Sequence, residues 1–189
     1  MTAYYKCLKQ DNTGGYSDVA WHLPKGSRPG KWMLKLDANS LSMCACGYHV
    51  VTREQIIPWL APKIYEAQIK GRVIESHDKL CAQQARLVRR VDGWNDYTAR
   101  MFAADCAANV LHIFEDGRRN DTRPRKAIRV ARLFAVGKCD AAAWAAAWAA
   151  ARDAARSAAD AAARAWQAKR LWKWIDGTAR PLRLPKRAA

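Results

Sequence analysis

DAAAWAAAWAAARDAARSAADAAARAWQAKRLWKWI, residues Asp140 to Ile175, is the stretch whose reading decides the second half of the fold. Alanine is the best helix former, and no glycine or proline interrupts the run. Asp140 suits an N-cap and Gly177 a C′ position, so both ends are marked. A straight helix of this length would span roughly 50 Å at 1.5 Å per residue. On a helical wheel Trp144, Trp148, Ala151, Ala155, Ala159, Ala162 and Trp166 share one face, while Arg152, Asp153, Arg156, Asp160 and Arg164 lie opposite. The phase then slips: Leu171 and Ile175 fall away from the tryptophan face, and Lys169 and Lys173 fall on it. The last turns are therefore expected to meet a different partner, at the other end of the protein. Trp144, Trp148 and Trp166 read as core, and Trp172 and Trp174 as candidates for contact with a partner.

Working outward, Pro124 opens a short helix to Val136. Its residues Ile128, Ala131 and Phe134 point one way, with Arg125, Arg129 and Arg132 as a basic stripe beside them. Before it, Asp96 reads as the cap of a helix through about Phe114, buried along Met101, Ala104, Ala108 and Leu111. Short loops between three such helices give an antiparallel bundle. After the alanine helix, ARPLRLPKRAA (179–189) is proline-broken and basic, an extended tail expected to order only when bound.

The first half alternates like strands. Tyr4–Leu8, Tyr16–His22, Trp32–Leu36 and Met43–Val51 are candidates, separated by a turn at 11–15 and a Pro/Gly-rich loop at 24–30. Thr52-Arg53-Glu54-Gln55 has capping-box spacing and predicts a short helix to Leu60. Ile64–Ile69 places Tyr65, Ala67 and Ile69 on one face and Glu66 and Gln68 on the other, Gly71 reads as a turn into Val73–Glu75, and Leu80–Val91 ends the sheet. The fold class is thus α+β: a small mixed or antiparallel sheet domain (1–91), an alanine-rich helical bundle (94–176) and a basic tail (177–189).

The chain of 189 residues carries a formal charge of +16. Residues 1–93 hold 14 Lys and Arg against 8 Asp and Glu, whereas from Gly117 onward there are 18 against 5. Such a field favours nucleic acid, acidic protein or anionic membrane as partner. The N-terminus lacks the apolar region of a signal peptide, and the alanine run is too charged from Arg152 on to insert in a bilayer. These features predict a protein of the bacterial host's cytoplasm, with no membrane partner and its six cysteines as thiols.

Arg123-Pro124-Arg125-Lys126-Ala127-Ile128, with Ala131-Arg132 and Gly137 after it, resembles an alanine-rich immunity-protein family of bacterial polymorphic toxin systems, also found in phage genomes. The resemblance extends back through Ala104-Asp105-Cys106-Ala107 and Val110 to Glu115, and covers about 96–166. It implies binding and neutralising another protein, and brings no catalytic residues. Residues 1–91 resemble an uncharacterised phage-associated domain through Tyr5-Lys6, Cys46-Gly47-Tyr48-His49 and Lys79 to Arg90.

Three chemistries compete. Cys44, Cys46 and His49, with His77 and Cys81, are weak zinc candidates, since the usual paired Cys-x-x-Cys spacing is absent. Tyr5, Gly47-Tyr48-His49 and Glu66 loosely resemble an ADP-ribosyltransferase-like enzyme, without a diagnostic motif. Arg118, Arg119, Arg125, Arg129, Arg132, Arg180, Arg183, Lys186 and Arg187 could contact phosphates or an acidic surface, and Trp172 and Trp174 could stack on bases if exposed. The expected protein is a phage or prophage accessory factor without cofactor or catalysis. It would bind stoichiometrically and inhibit a bacterial defence nucleoprotein in the manner of an anti-CRISPR. The alternatives are a direct RNA- or DNA-binding protein, a toxin-neutralising immunity protein and the transferase-like enzyme.

Overall fold

The computed structural model describes residues 3–116, 121–139 and 161–184. The fold class is α+β, and the chain divides into two compact units, Met1–Trp94 and Asn95–Ala189.

In the first unit, strands β1 (Tyr4–Leu8), β4 (Tyr48–Val50), β5 (Lys63–Glu75) and β6 (Leu80–Arg90) form an antiparallel sheet in the order β1-β5-β6-β4. The short pair β2 (Thr13–Gly14) and β3 (Ser17–Ala20) makes a separate hairpin. The four-stranded sheet curls until its edges meet. Tyr5 and Val51 exchange both backbone hydrogen bonds, at 2.8 and 2.9 Å, which joins β1 to the end of β4. Two irregularities in the β5–β6 pairing, one at Glu66/Ala67 where β6 holds the extra residue and one at Lys70/Val73 where β5 does, supply the curvature that such closure needs. Gly71 sits in the second with φ +82, where a Cβ would stand 2.1 Å from Gln83 Oε1. The expected turn at Gly71 is therefore a bulge, and the strand runs on through it.

The alternation read in β5 buries Tyr65 and Ala67 on one face of the strand, and Ile64, on the opposite face, is buried as well. Leu8, Trp21, Met33, Tyr65, Ala85 and Leu87 form one apolar cluster, and Val50, Ala67 and Leu80 a second. Trp32–Leu36 is not a regular strand. It lies along β6, but its N–H bonds fall at Gly30, Met33 and Leu36, to Leu87, Ala85 and Gln83, a period of three rather than two. The helix expected at Thr52–Leu60 is reduced to a 3-10 turn, Ile57–Trp59. Gln55 Oε1 accepts the Thr52 N–H as a capping box requires, but Pro58 has no N–H with which to continue an α-helix.

The second unit holds α1 (Asp96–Asn109), α2 (Leu111–Asp116), α3 (Arg123–Ala135) and α4 (Ala161–Ile175). The N-cap of α1 is Asn95, one residue earlier than expected, and it makes a reciprocal capping box with Thr98. Met101, Ala104, Ala108 and Leu111 are buried as the periodicity requires. The expected single helix is divided at Val110, whose φ of −99 and ψ of 2 end α1 before α2 begins. Small side chains on α1 bring α3 close, and Ala104, Ala108, Leu111 and Ile128 make one cluster.

Only Ala161–Ile175 of the expected long helix is described; Trp144, Trp148 and the rest of 140–160 lie outside the described residues. The phase slip is visible in α4: Ala168, Leu171 and Trp172 are buried, Ile175 and Trp166 are half-buried, and Lys169 and Lys173 are exposed. After α4, residues 178–184 form an extended strap. The tail was expected to order only on binding, yet Leu182 and Leu184 pack against the α1–α3 cluster while Arg180 and Arg183 face outward. Alternating leucine and arginine suits a strand-like segment laid across an apolar surface. No described helix is long and apolar enough to cross a membrane.

Candidate functional site

The second unit is organised around one carboxylate. Asp105 lies on α1 between the buried Ala104 and Ala108 and has no exposure at all. Arg132 Nη2 of α3 donates to its Oδ1 at 3.0 Å. Arg170 of α4 donates to Oδ2 through Nε at 2.8 Å and also through Nη2. Trp174 Nε1 donates to Oδ2 at 2.9 Å, and the backbone N–H of Leu182 to Oδ1 at 3.0 Å. Arg170 Nη2 also reaches the Arg180 carbonyl on the strap. A buried ion is tolerated only when charge and lone pairs are both satisfied, and five donors from three elements do this here. Next to it the Cys106 thiol is pushed up to about 12, first by burial and then by the Asp105 charge.

This arrangement redistributes the expected basic stripe. Arg132 is an internal counter-ion, and its Nε is buried without a hydrogen-bond partner among the described residues. Arg125 pairs bidentately with Glu115, Nη2 to Oε2 being 2.6 Å, with both side chains largely covered. That partner holds the Arg125 guanidinium above its ordinary pKa. Arg129 alone of the three is exposed. Trp172 and Trp174, expected as stacking rings if exposed, are buried at 8% and 4% exposure. Trp174 stands edge-on to Tyr97, with ring centroids 6.0 Å apart, and a buried indole needs a partner for its N–H, which Asp105 provides. Arg118, Arg119, Lys186 and Arg187 lie outside the described residues.

What α3 does present outward is a different set. Lys126, Arg129, Leu133 and Val136 are all exposed, Leu133 by 43% and Val136 by 49%. Their spacing of three, four and three residues keeps them on one side of the helix.

In the first unit, Cys44 donates its backbone N–H to His49 Nε2 at 3.1 Å. Cys81 Sγ lies 3.4 Å from the Cys46 carbonyl oxygen. Occupying the His49 lone pair with a backbone donor works against ligation, and among the described residues no group of three or more His, Cys, Asp or Glu could hold a metal ion. Tyr5 and Glu66 are register partners on β1 and β5. Tyr5 is buried, and Glu66 is gripped by Arg89 at 2.6 Å from Nε.

Residues 95–168 match the family described as "Imm-5 like putative immunity protein". The similarity takes in Asp105, Arg125 and Arg132, together with the outward stripe of α3; Arg170, Trp174 and Leu182 lie beyond it. Neither the comparison with curated proteins nor that with solved structures returns a match.

Sequence reasoning missed Asp105 as the organising residue. The signal was present: a lone acid next to the buried stripe of α1, where an unpaired charge is too costly to leave.

Proposed function

We propose that this chain is a stoichiometric binding protein of the immunity type, which silences an acidic partner protein through the outward stripe of α3. The observation that carries the reading is Lys126, Arg129 and Leu133 exposed together on α3, with Val136 exposed at its C-terminal cap. Two cations beside two aliphatic side chains suit a protein surface, where apolar contact supplies affinity and charge supplies steering. The similarity of residues 95–168 to immunity proteins supports it.

The wider reading is a phage or prophage factor that inhibits a bacterial defence nucleoprotein in the manner of an anti-CRISPR. It draws on a different observation, the excess of 18 basic over 5 acidic residues from Gly117 onward. One experiment separates the two. The tagged full chain is used to capture partners from a bacterial host with and without nuclease, alongside the variant Lys126→Glu/Arg129→Glu. A protein partner retained after nuclease, and lost at least tenfold by the variant with unchanged melting, is the expected result. Capture abolished by nuclease would move the target to nucleoprotein or nucleic acid, and capture indifferent to the variant would remove the stripe.

A further inference from the structure

The sheet unit carries an outward face of quite different chemistry. Lys70 Nζ lies 4.3 Å, and Arg86 Cζ 4.6 Å, from the centre of the Trp32 ring. Arg86 is steered by Gln68, whose Oε1 accepts from Nε at 2.8 Å and from Nη2 at 2.6 Å. Gln68 pairs with Arg86 and Lys70 with Gln84 in register, so these four side chains share one face of the β5–β6 hairpin. On the segment that carries Trp32, Leu34 is 78% exposed, and Lys31 and Lys35 are exposed as well. Among the described residues, none of Lys31, Lys35, Lys70 or Arg86 has an acidic side chain within ion-pair distance.

The platform is held in place before anything binds. Besides its three N–H bonds to β6, the segment has its Met33 and Leu36 carbonyls taken by the Gln84 and Gln83 amides, each at 2.8 Å. Gly30 opens it where a Cβ would stand 2.0 Å from the His22 carbonyl oxygen. A preorganised indole loses little freedom on binding.

We propose that this face binds a single strand of RNA or DNA. The Trp32 indole, the Arg86 guanidinium and Leu34 would support a base, and Lys70 and Lys35 would meet the flanking phosphates. Aromatic and guanidinium planes accept any base by stacking, and the surrounding cations follow the backbone. An acidic peptide would use the cations and leave the indole and leucine unexplained. A duplex would need an element that enters a groove, and this face offers a curved sheet.

The test is fluorescence anisotropy of the full chain with a labelled oligouridylate and an oligothymidylate, combined with iodouridine photo-crosslinking and peptide mapping. Trp32→Ala should weaken binding roughly tenfold to a hundredfold, the usual range for one stacked base. Lys70→Glu/Arg86→Glu should weaken binding and lower the slope of log affinity against log salt by about 0.7, for the one phosphate that Lys70 meets. Crosslinks should fall on the peptide containing Trp32. Leu34→Ala, at an exposed position, provides a second reading should Trp32→Ala disturb the fold, and it too should weaken binding. Absence of binding at low salt would overturn the proposal. So would unchanged affinity in Leu34→Ala and Lys70→Glu/Arg86→Glu, crosslinks confined to residues beyond Asn95, or competition by polyglutamate equal to that by oligonucleotide. The α3 stripe takes no part in these readouts, so the two proposals fail separately.

Discussion

Arg132 and Arg86 both belong to a basic chain, and they have opposite fates. Arg132 is drawn inward to Asp105, where with Arg170 it balances a carboxylate that has no contact with water. Arg86 stays at the surface, oriented by the neutral Gln68 beside the Trp32 ring. The half of the chain with the larger positive excess thus uses several of its arginines as structural counter-ions, while the less basic half displays its cations beside an aromatic surface. Net charge sets a long-range field, but local carboxylates decide which cations remain available to a partner.

The sharpest way to break that contrast is to remove the carboxylate. Asp105→Ala would leave two guanidinium groups, the Trp174 indole N–H and the Leu182 N–H without their acceptor. A loss of about 3–5 kcal/mol in urea unfolding is expected for breaking a buried pair from one side. A change below about 1 kcal/mol would mean that the cluster is a surface network, worth no more than exposed pairs are.

Next in size is the difference between its two arginines. Arg170 makes two hydrogen bonds to Oδ2 and also reaches the strap, whereas Arg132 makes one contact and buries an Nε without a partner among the described residues. Arg170→Ala should therefore cost more than Arg132→Ala, by about 1–2 kcal/mol, as expected for one or two additional charged hydrogen bonds. Equal losses in parallel melts would show that the two cations are interchangeable.

The smallest effect concerns pH. Burial lowers Lys6 to about 8 and raises the thiols of Cys7 and Cys106 to about 12. Between about 8 and the ordinary lysine value of 10.5, the unfolded chain binds more protons at Lys6, so this residue makes stability rise with pH. Above the ordinary thiol value of 9.0 the folded chain holds more protons at both cysteines, so they make it fall. The urea midpoint should climb from pH 8 to 9 and turn over beyond it, and Lys6→Met should flatten the climb. A steady decline in the wild-type chain from pH 8 would refute the Lys6 contribution.

Much of the fold was legible because its signals are local. The alternation around Tyr65 and Ala67 and the stripe Met101, Ala104, Ala108 and Leu111 each report a single element. Closure of the sheet at Tyr5 and Val51 was not legible, since it depends on a bulge that a glycine permits but does not dictate. The candidate surface failed for a related reason. Arg125, Arg129 and Arg132 are alike in sequence, and only the positions of Glu115 and Asp105 separate the exposed one from the two that are paired. Trp32 escaped notice because its cations come from β5 and β6, far along the chain.

The strap has a consequence for synthesis. Asp105 and the Leu182 N–H are 77 positions apart, and Arg170 is 65 positions from the same carboxylate. A ribosome makes α1 long before it makes the groups that neutralise it. Until then the carboxylate keeps its water, and α1 cannot settle into its final burial. The helical unit should therefore mature late, in one step, once Leu182 is free of the ribosome. Products halted before Arg170 would carry a helix whose central acid lacks most of its donors.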